Sequence, residues 1–200
     1  MSNARELAEL GGSYGTGGFV GMKNRIINGA MVIDQRNAGA SVSVQTTTGY
    51  ALDRWRVYAS QNSKYSVQQS TTVPSGFKNS LLVTSSSAYI VGAGETFAVA
   101  QYIEGFNTSD LGWGASGAAS VTLSFWVRSS LTGTFGGALK NEARNRAYPF
   151  TYTISTANTF EYKTVTITGD TSGTWIGATN GTGLWLSLIH ISEPTRQEAI

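Results

Sequence analysis

The chain has 200 residues, 24 of them glycine, with no cysteine, 13% charged residues and a formal net charge of +2. That length suits one domain with a sizeable core, and the absence of cysteine excludes a disulfide scaffold and thiol chemistry. The basic residues are dispersed, which argues against nucleic acid as a partner, and no apolar run is long enough for membrane insertion. Abundant Gly, Ser, Thr and aromatic residues make the class all-β.

In chain order, residues 4–10 (ARELAEL) read as a short helix ended by Gly11 and Gly12, and 11–21 as a Gly-rich linker. So short a helix is not stable alone, so the segment 1–21 is expected to dock on another chain. The glycines of the linker do not sit between a strand and a helix, so no phosphate loop is expected there. Residues 22–185 are expected to form one β-sandwich domain.

Trp55, Val57 and Ala59 alternate inward with Arg54, Arg56 and Tyr58 outward. Residues 64–69 and 81–84 read as short strands with a Pro-Gly turn over 73–77 between them. Residues 97–103 form a further strand, with Tyr102 facing out. The loop over 104–114 carries Trp113 between Gly112 and Gly114, an exposed setting, and Thr108 or Ser109 is a candidate cap for one helical turn. The clearest strand is VTLSFWVRSS, residues 121–130: Val121, Leu123, Phe125 and Val127 form an apolar face, while Trp126 and Arg128 face out. Residues 133–139 run as a strand into a polar excursion over 140–146. Two long β-rich runs, 148–155 and 160–168, follow, and Trp175 reads as a core plug at the start of a strand. Short strands with turn signals between them mean an antiparallel β-sandwich or barrel.

Two motifs carry a resemblance. NRIINGAMVIDQR (24–36) and YALDRW (50–55) together resemble a family of bacteriophage tail-fibre and appendage proteins in which NxIINGxMxIxQR is followed by YxLDRW. The resemblance implies a virion component made in the bacterial host cytoplasm and acting outside it, joined to other tail proteins through the N-terminal segment and assembled as a homotrimer. More loosely, LSFWVR (123–128) and FEYKTVTI (160–167) are similar to paired strands of jelly-roll carbohydrate-binding modules. That resemblance implies two packed antiparallel sheets and a glycan partner, here a host cell-surface polysaccharide.

The end of the chain, LSLIHISEPTR (186–196), resembles the translation of a transposase sequencing adapter, with 197–200 as index sequence. Residues 186–200 are therefore expected to be a non-native tail, and the sandwich to lack its closing strands. The only histidine, His190, falls inside that tail. Without a native His or Cys, a Ser-His or Cys-His nucleophile and a His-liganded zinc site are both excluded. Glycosidase chemistry would need two carboxylates, and Glu104 with Asp110 or Glu95 with Glu161 are the pairs on offer; acids at strand ends and loops are more often solvated or turn-forming. No catalytic residue and no cofactor is expected. Asp34, Asp53 and Asp170 are candidate ligands for a structural calcium, although no acid-dense loop is present. Asp53 also reads as an ion-pair partner fixing a strand end, with Trp55 in the core.

What remains is binding. Trp126, Arg128, Trp113, Tyr102 and Tyr58 are the candidate carbohydrate-binding residues, because an aromatic ring covers a pyranose face and a guanidinium donates to hydroxyls or carboxylates. The expected function is non-catalytic binding of host-surface glycans by a phage appendage. A purely structural virion subunit, with Trp126 buried between chains, is the alternative, and a polysaccharide depolymerase ranks third.

Overall fold

A computed structural model describes residues 23–188 and the backbone of Gln197–Ala199; the expected helix over 4–10, the linker over 11–21 and His190 lie outside the described residues. The chain forms β1 (Val42–Ser43), β2 (Tyr50–Leu52), β3 (Trp55–Ala59), β4 (Tyr65–Ser70), β5 (Ser80–Ser85), β6 (Phe97–Glu104), β7 (Val121–Ser129), β8 (Gly133–Lys140), β9 (Ala147–Ile154), β10 (Glu161–Ile167), β11 (Thr182–Ser187) and β12 (Gln197–Ala199). All pairings are antiparallel and make two six-stranded sheets, in the order β1-β4-β5-β12-β7-β10 and β2-β3-β6-β11-β8-β9. The fold is thus the expected all-β antiparallel sandwich.

Alternation in sequence becomes inside and outside here. Trp55 and Val57 of β3, Val99 and Ile103 of β6, and Phe150, Tyr152 and Ile154 of β9 point inward from one sheet; Tyr65 and Val67 of β4 and Val127 of β7 meet them from the other. Phe125 stands edge-on to Tyr152 across the sandwich, with ring centroids 5.1 Å apart. Gly137 faces Phe150 on the neighbouring strand, and the ring of Phe150 fills the space a Cβ would occupy. The edge strand β10 turns Glu161 and Lys163 toward the core side, where they pair at 2.6 Å. Inward charges of this kind discourage addition of a further strand at that edge.

The 24–36 stretch is not a strand; it wraps the end of the β2–β3 pair. Asn28, at φ 54°, donates from Nδ2 to the carbonyls of Ile33 (2.8 Å) and Asp53 (2.9 Å), and its Oδ1 accepts from Ile33 N. The Trp55 indole donates to the Asn28 carbonyl at 3.0 Å. Gln101, fully buried, exchanges two 2.8 Å hydrogen bonds with the backbone of Ile27. Arg25 makes a two-pronged contact with Asp110 at 2.8 Å. The two motifs therefore bind each other and anchor the segment to β6.

Two expectations are corrected. The loop after β6 holds two short 3-10 turns, Gly105–Asn107 and Ser109–Leu111, and neither Thr108 nor Ser109 caps one with its side chain; the Thr108 hydroxyl bonds back to the Gly105 carbonyl at 3.0 Å. Trp175 does not start a strand: it lies in the loop before β11, where its indole donates to Asp170 (3.2 Å) and to the Ser172 carbonyl (3.3 Å). In the sheets, β11 lies between β6 and β8, and β12 between β5 and β7. β11 runs through Trp185 to Ser187, and Leu186 and Leu188 are buried, because an alternating apolar run packs well on a sheet.

Candidate functional site

The five candidate binding residues fall in three places. Tyr58 on β3 and Tyr102 on β6 point outward from the second sheet and share a hydrogen bond between their hydroxyls. Trp126 and Arg128 lie on the outside of the first sheet. Trp113 sits at one end, in the loop after β6.

Trp113 is not the exposed ring expected of a loop between glycines. Its indole donates to the Ala119 carbonyl at 2.7 Å, and its ring stands perpendicular to that of Trp175 at 4.7 Å. The cavity between them is about 40 Å³, room for about one water and far too small for a sugar. Arg128 is likewise occupied: its Nε donates to the Asn158 carbonyl at 2.8 Å, holding the connection between β9 and β10. Trp126 remains outward and lies opposite Tyr162 on β10, ring centroids 5.4 Å apart, and Tyr162 is 56% exposed. That pair forms an aromatic step on an otherwise Ser- and Thr-rich face.

The richest arrangement surrounds Tyr58 and Tyr102. On β11, Trp185 is paired directly opposite Tyr102 and Lys140, so its indole rises from the same face. Its ring lies 5.3 Å from Tyr58 and 5.4 Å from Tyr102. Three cations close around the rings. The Arg144 guanidinium is 4.3 Å from the Trp185 ring centroid and the Lys140 ammonium 5.4 Å, while Arg56 is 4.9 Å from Tyr58 and 5.6 Å from Tyr102. Cations over aromatic faces are favourable contacts. Arg144 reaches the indole from the turn between β8 and β9, where it holds φ 58°.

Small residues explain why the large ones can lie over the sheet. The outward positions at the middle of this face are Ala98, Ala100, Ala138 and Ser187, aligned across β6, β11 and β8. They make a low floor, and the rings and guanidinium groups fold across it, leaving Trp185 only 6% exposed. Burial is the first cause raising the Tyr58 phenol above its ordinary value, followed by its hydrogen bond to Tyr102, while Arg56 and Arg144 pull it down. Three buried polar atoms at this face have no hydrogen-bond partner among the described residues: Arg56 Nε, Trp185 Nε1 and Ser187 Oγ.

Trp185, Arg56, Lys140 and Arg144 were not among the sequence candidates. The outward position of Arg56 was legible, and the alternation of Leu184, Trp185 and Leu186 carried the signal for Trp185; Lys140 and Arg144 lay in a stretch that read only as polar.

The carboxylates are committed elsewhere. Glu104 pairs with Arg54 at 3.7 Å and Asp110 with Arg25, while Glu95 accepts from Tyr89, Gln61 and Gly92 N. Glu161 accepts from Lys163 and two backbone N–H groups. Hydrogen bonds from these donors lower the pKa values of Glu95, Asp110 and Glu161, the opposite of what a general acid needs. The calcium candidates are engaged too. Asp34 accepts from Asn37 N and Gly39 N, Asp53 from Gln35 N, and Asp170 pairs with Arg146. Among the described residues no three acidic, His or Cys side chains gather as a metal site would require.

No protein-family model matches the chain, and no curated protein matches it. Solved structures do. A putative sugar binding protein from Bacteroides thetaiotaomicron is 12% identical over 88% of this chain and 96% of that one, with a TM-score of 0.56. The fold is a jelly roll. The enzymatically active domain of bacteriophage CBA120 tailspike protein 4 aligns at 15% identity over 78% of this chain, with a TM-score of 0.49; the alignment spans 20% of that chain's length. TmCBM61, solved in complex with β-1,4-galactotriose, aligns at 12% identity over 88% of this chain and 94% of that one, with a TM-score of 0.44.

Proposed function

We propose that this domain binds glycans of a bacterial cell surface, without cleaving them, as part of a bacteriophage tail appendage. The observation that carries the binding reading is the grouping of Tyr58, Tyr102 and Trp185 on one outer face, with donors of Arg56 and Trp185 left unpaired beside them. Aromatic faces with a few polar neighbours suit pyranose rings, and a shallow open face suits a polymer better than a small molecule. The fold it shares with a putative sugar binding protein is in keeping with this. The virion setting rests on the paired motifs at 24–36 and 50–55, with the segment 1–21 joining other tail proteins and a trimer multiplying a weak site.

The test is binding of the full chain, beside Tyr102→Ala and Trp126→Ala, to bacterial cells and a panel of neutral and acidic surface glycans. Loss of binding in Tyr102→Ala, with folding retained, is the expected result. A well-folded protein that binds nothing on the panel would sink the reading.

One observation favours a second reading. Trp126 and the exposed Tyr162 form an apolar step that a neighbouring subunit would cover, as a structural virion component requires. A tight oligomer in which Trp126 is shielded from fluorescence quenchers, combined with no glycan binding, would favour it. The proposal also takes the sequence of residues 186–200 as non-native, although Leu186 and Ser187 are packed in β11, and amplification of the source DNA across the Trp185 and Leu186 codons checks this.

A further inference from the structure

The cations of the domain are unevenly neutralised. Arg25, Arg36, Arg54, Arg146 and Lys163 each have a carboxylate within 4 Å, at Asp110, Asp53, Glu104, Asp170 and Glu161. Arg56, Lys140 and Arg144 have no carboxylate partner among the described residues, and all three converge on the rings of Tyr58, Tyr102 and Trp185. Of the other described cations without a carboxylate partner, Lys64 lies over Tyr89, Arg128 bonds Asn158 and Lys78 stands on the loop before β5, so the face that carries the aromatic cluster is the one place among the described residues where three gather.

The hydrogen-bonding inventory points the same way. Arginine, lysine and the indole N–H can only donate, and the two tyrosine hydroxyls of the face already bond each other. Arg56 Nε and Trp185 Nε1 are buried donors with no acceptor, and Trp185 is more than nine-tenths buried. The face is thus short of acceptors. A neutral sugar hydroxyl offers a donor with each acceptor; a carboxylate offers two acceptor oxygens and no donor, and a guanidinium fork matches it in shape. The nearest acidic groups do not fill the role: Glu104 is held by Arg54, and Glu142 sits on the exposed turn between β8 and β9.

We propose that this face recognises an acidic polysaccharide, with a sugar carboxylate bound by Arg56, Arg144 and Lys140 while a pyranose ring rests on Tyr58 and Tyr102. The proposal rests on the glycan-binding reading and narrows it to uronate-bearing polymers. Trp185 underlies the site as a support and is not itself the stacking surface, because the two tyrosines and the cations cover it.

The experiment measures affinity of the full chain for hyaluronan, alginate and polygalacturonate, for a carboxyl-reduced preparation of each, for neutral glycans, and for single-stranded DNA, at low and high salt. At least one acidic polymer should bind, its reduced form about tenfold or more weaker, since charge-assisted hydrogen bonds are lost. Raising the salt should weaken the acidic complex and leave any binding to neutral glycans in place. Arg144→Asn, which suits the positive φ of that turn, and Lys140→Gln should each weaken acidic binding, by about tenfold together. Equal binding to native and reduced polymers, or binding to neutral glycans alone, overturns the acidic proposal and leaves the glycan-binding reading standing. DNA bound as tightly as any uronate polymer also overturns it, as unspecific attraction of polyanions. No binding to any glycan by a folded protein overturns both.

Discussion

Tyr65 ties the two sheets together, and its hydroxyl is the most informative single group to remove. It is fully buried on β4, yet its oxygen lies 2.7 Å from the Tyr58 carbonyl on β3 and 3.0 Å from the Ala98 carbonyl on β6, both in the opposite sheet. Tyr65→Phe keeps the ring and its edge-on contact with Phe97, 6.4 Å between centroids, and deletes only the donor. The single proton that the two carbonyls share is then lost, which costs about 1–2 kcal/mol. For a domain of this size each kcal/mol moves the melting temperature by roughly 2–4 °C, so the variant should melt about 2–8 °C lower. The same group gives a pH signature. Burial, the dominant cause, raises the Tyr65 phenol above its ordinary value of 10.0, against the two carbonyl hydrogen bonds that lower it. A raised folded pKa means the unfolded chain loses this proton first, so the contribution is intact below pH 10 and declines as pH rises beyond it, by up to about 1.4 kcal/mol per pH unit. Tyr65→Phe should flatten this alkaline decline, leaving what Tyr58 and Tyr89 contribute. Urea titrations near neutral pH and above pH 10 read both effects. An unchanged midpoint at neutral pH together with an unchanged alkaline slope would refute the reasoning.

Other perturbations act on separate parts of the fold. The Arg146 guanidinium holds the Asp170 carboxyl at about 2, below its ordinary 3.8, and Asp170 also accepts from the Trp175 indole. A depressed folded pKa places the loss on the acid side, so tryptophan emission should shift as pH falls from about 4 toward 2, and Asp170→Asn should remove that step. Gly137→Ala would drive a methyl group into the Phe150 ring and should cost about 1–3 kcal/mol in a denaturant titration. Ser187 is 2% exposed, its hydroxyl has no partner, and its cross-strand neighbours are Ala100 and Ala138; Ser187→Ala should therefore stabilise the domain by about 1–3 kcal/mol, seen as a later urea midpoint.

The strands were legible because each has one face in the core. The alternation over 121–130 and 55–59 gives β7 and β3 almost residue for residue, and the likeness of 123–128 and 160–167 to paired strands is realised as the β7–β10 pairing. Loop aromatics were not legible in the same way. Trp113 and Trp175 are 62 positions apart in sequence and lie among small residues, and nothing local shows that each is the other's packing partner. Strand order was also hidden, since it is set by pairings between distant segments. Tyr58 and Trp126 both read as outward aromatics, but their strands belong to different sheets, so one expected binding surface resolves into separate ones.

The most recognisable part of the sequence is scaffold. Asn28, Asp53 and Trp55, members of the two motifs, spend their polar groups on one another, and Asp34 spends its carboxylate on the backbone of its own turn. Polar side chains committed in this way fix a backbone path and have little left to offer a ligand. The residues of the outer face have the reverse character: Arg56, Lys140 and Arg144 lie over rings, and Arg56 Nε has no hydrogen-bond partner among the described residues. Substitutions in the motifs should therefore change stability before binding, whereas substitutions on the face should change binding before stability. The unspent donors and rings of the face are the groups free to meet a ligand, whereas the motif residues hold the chain together.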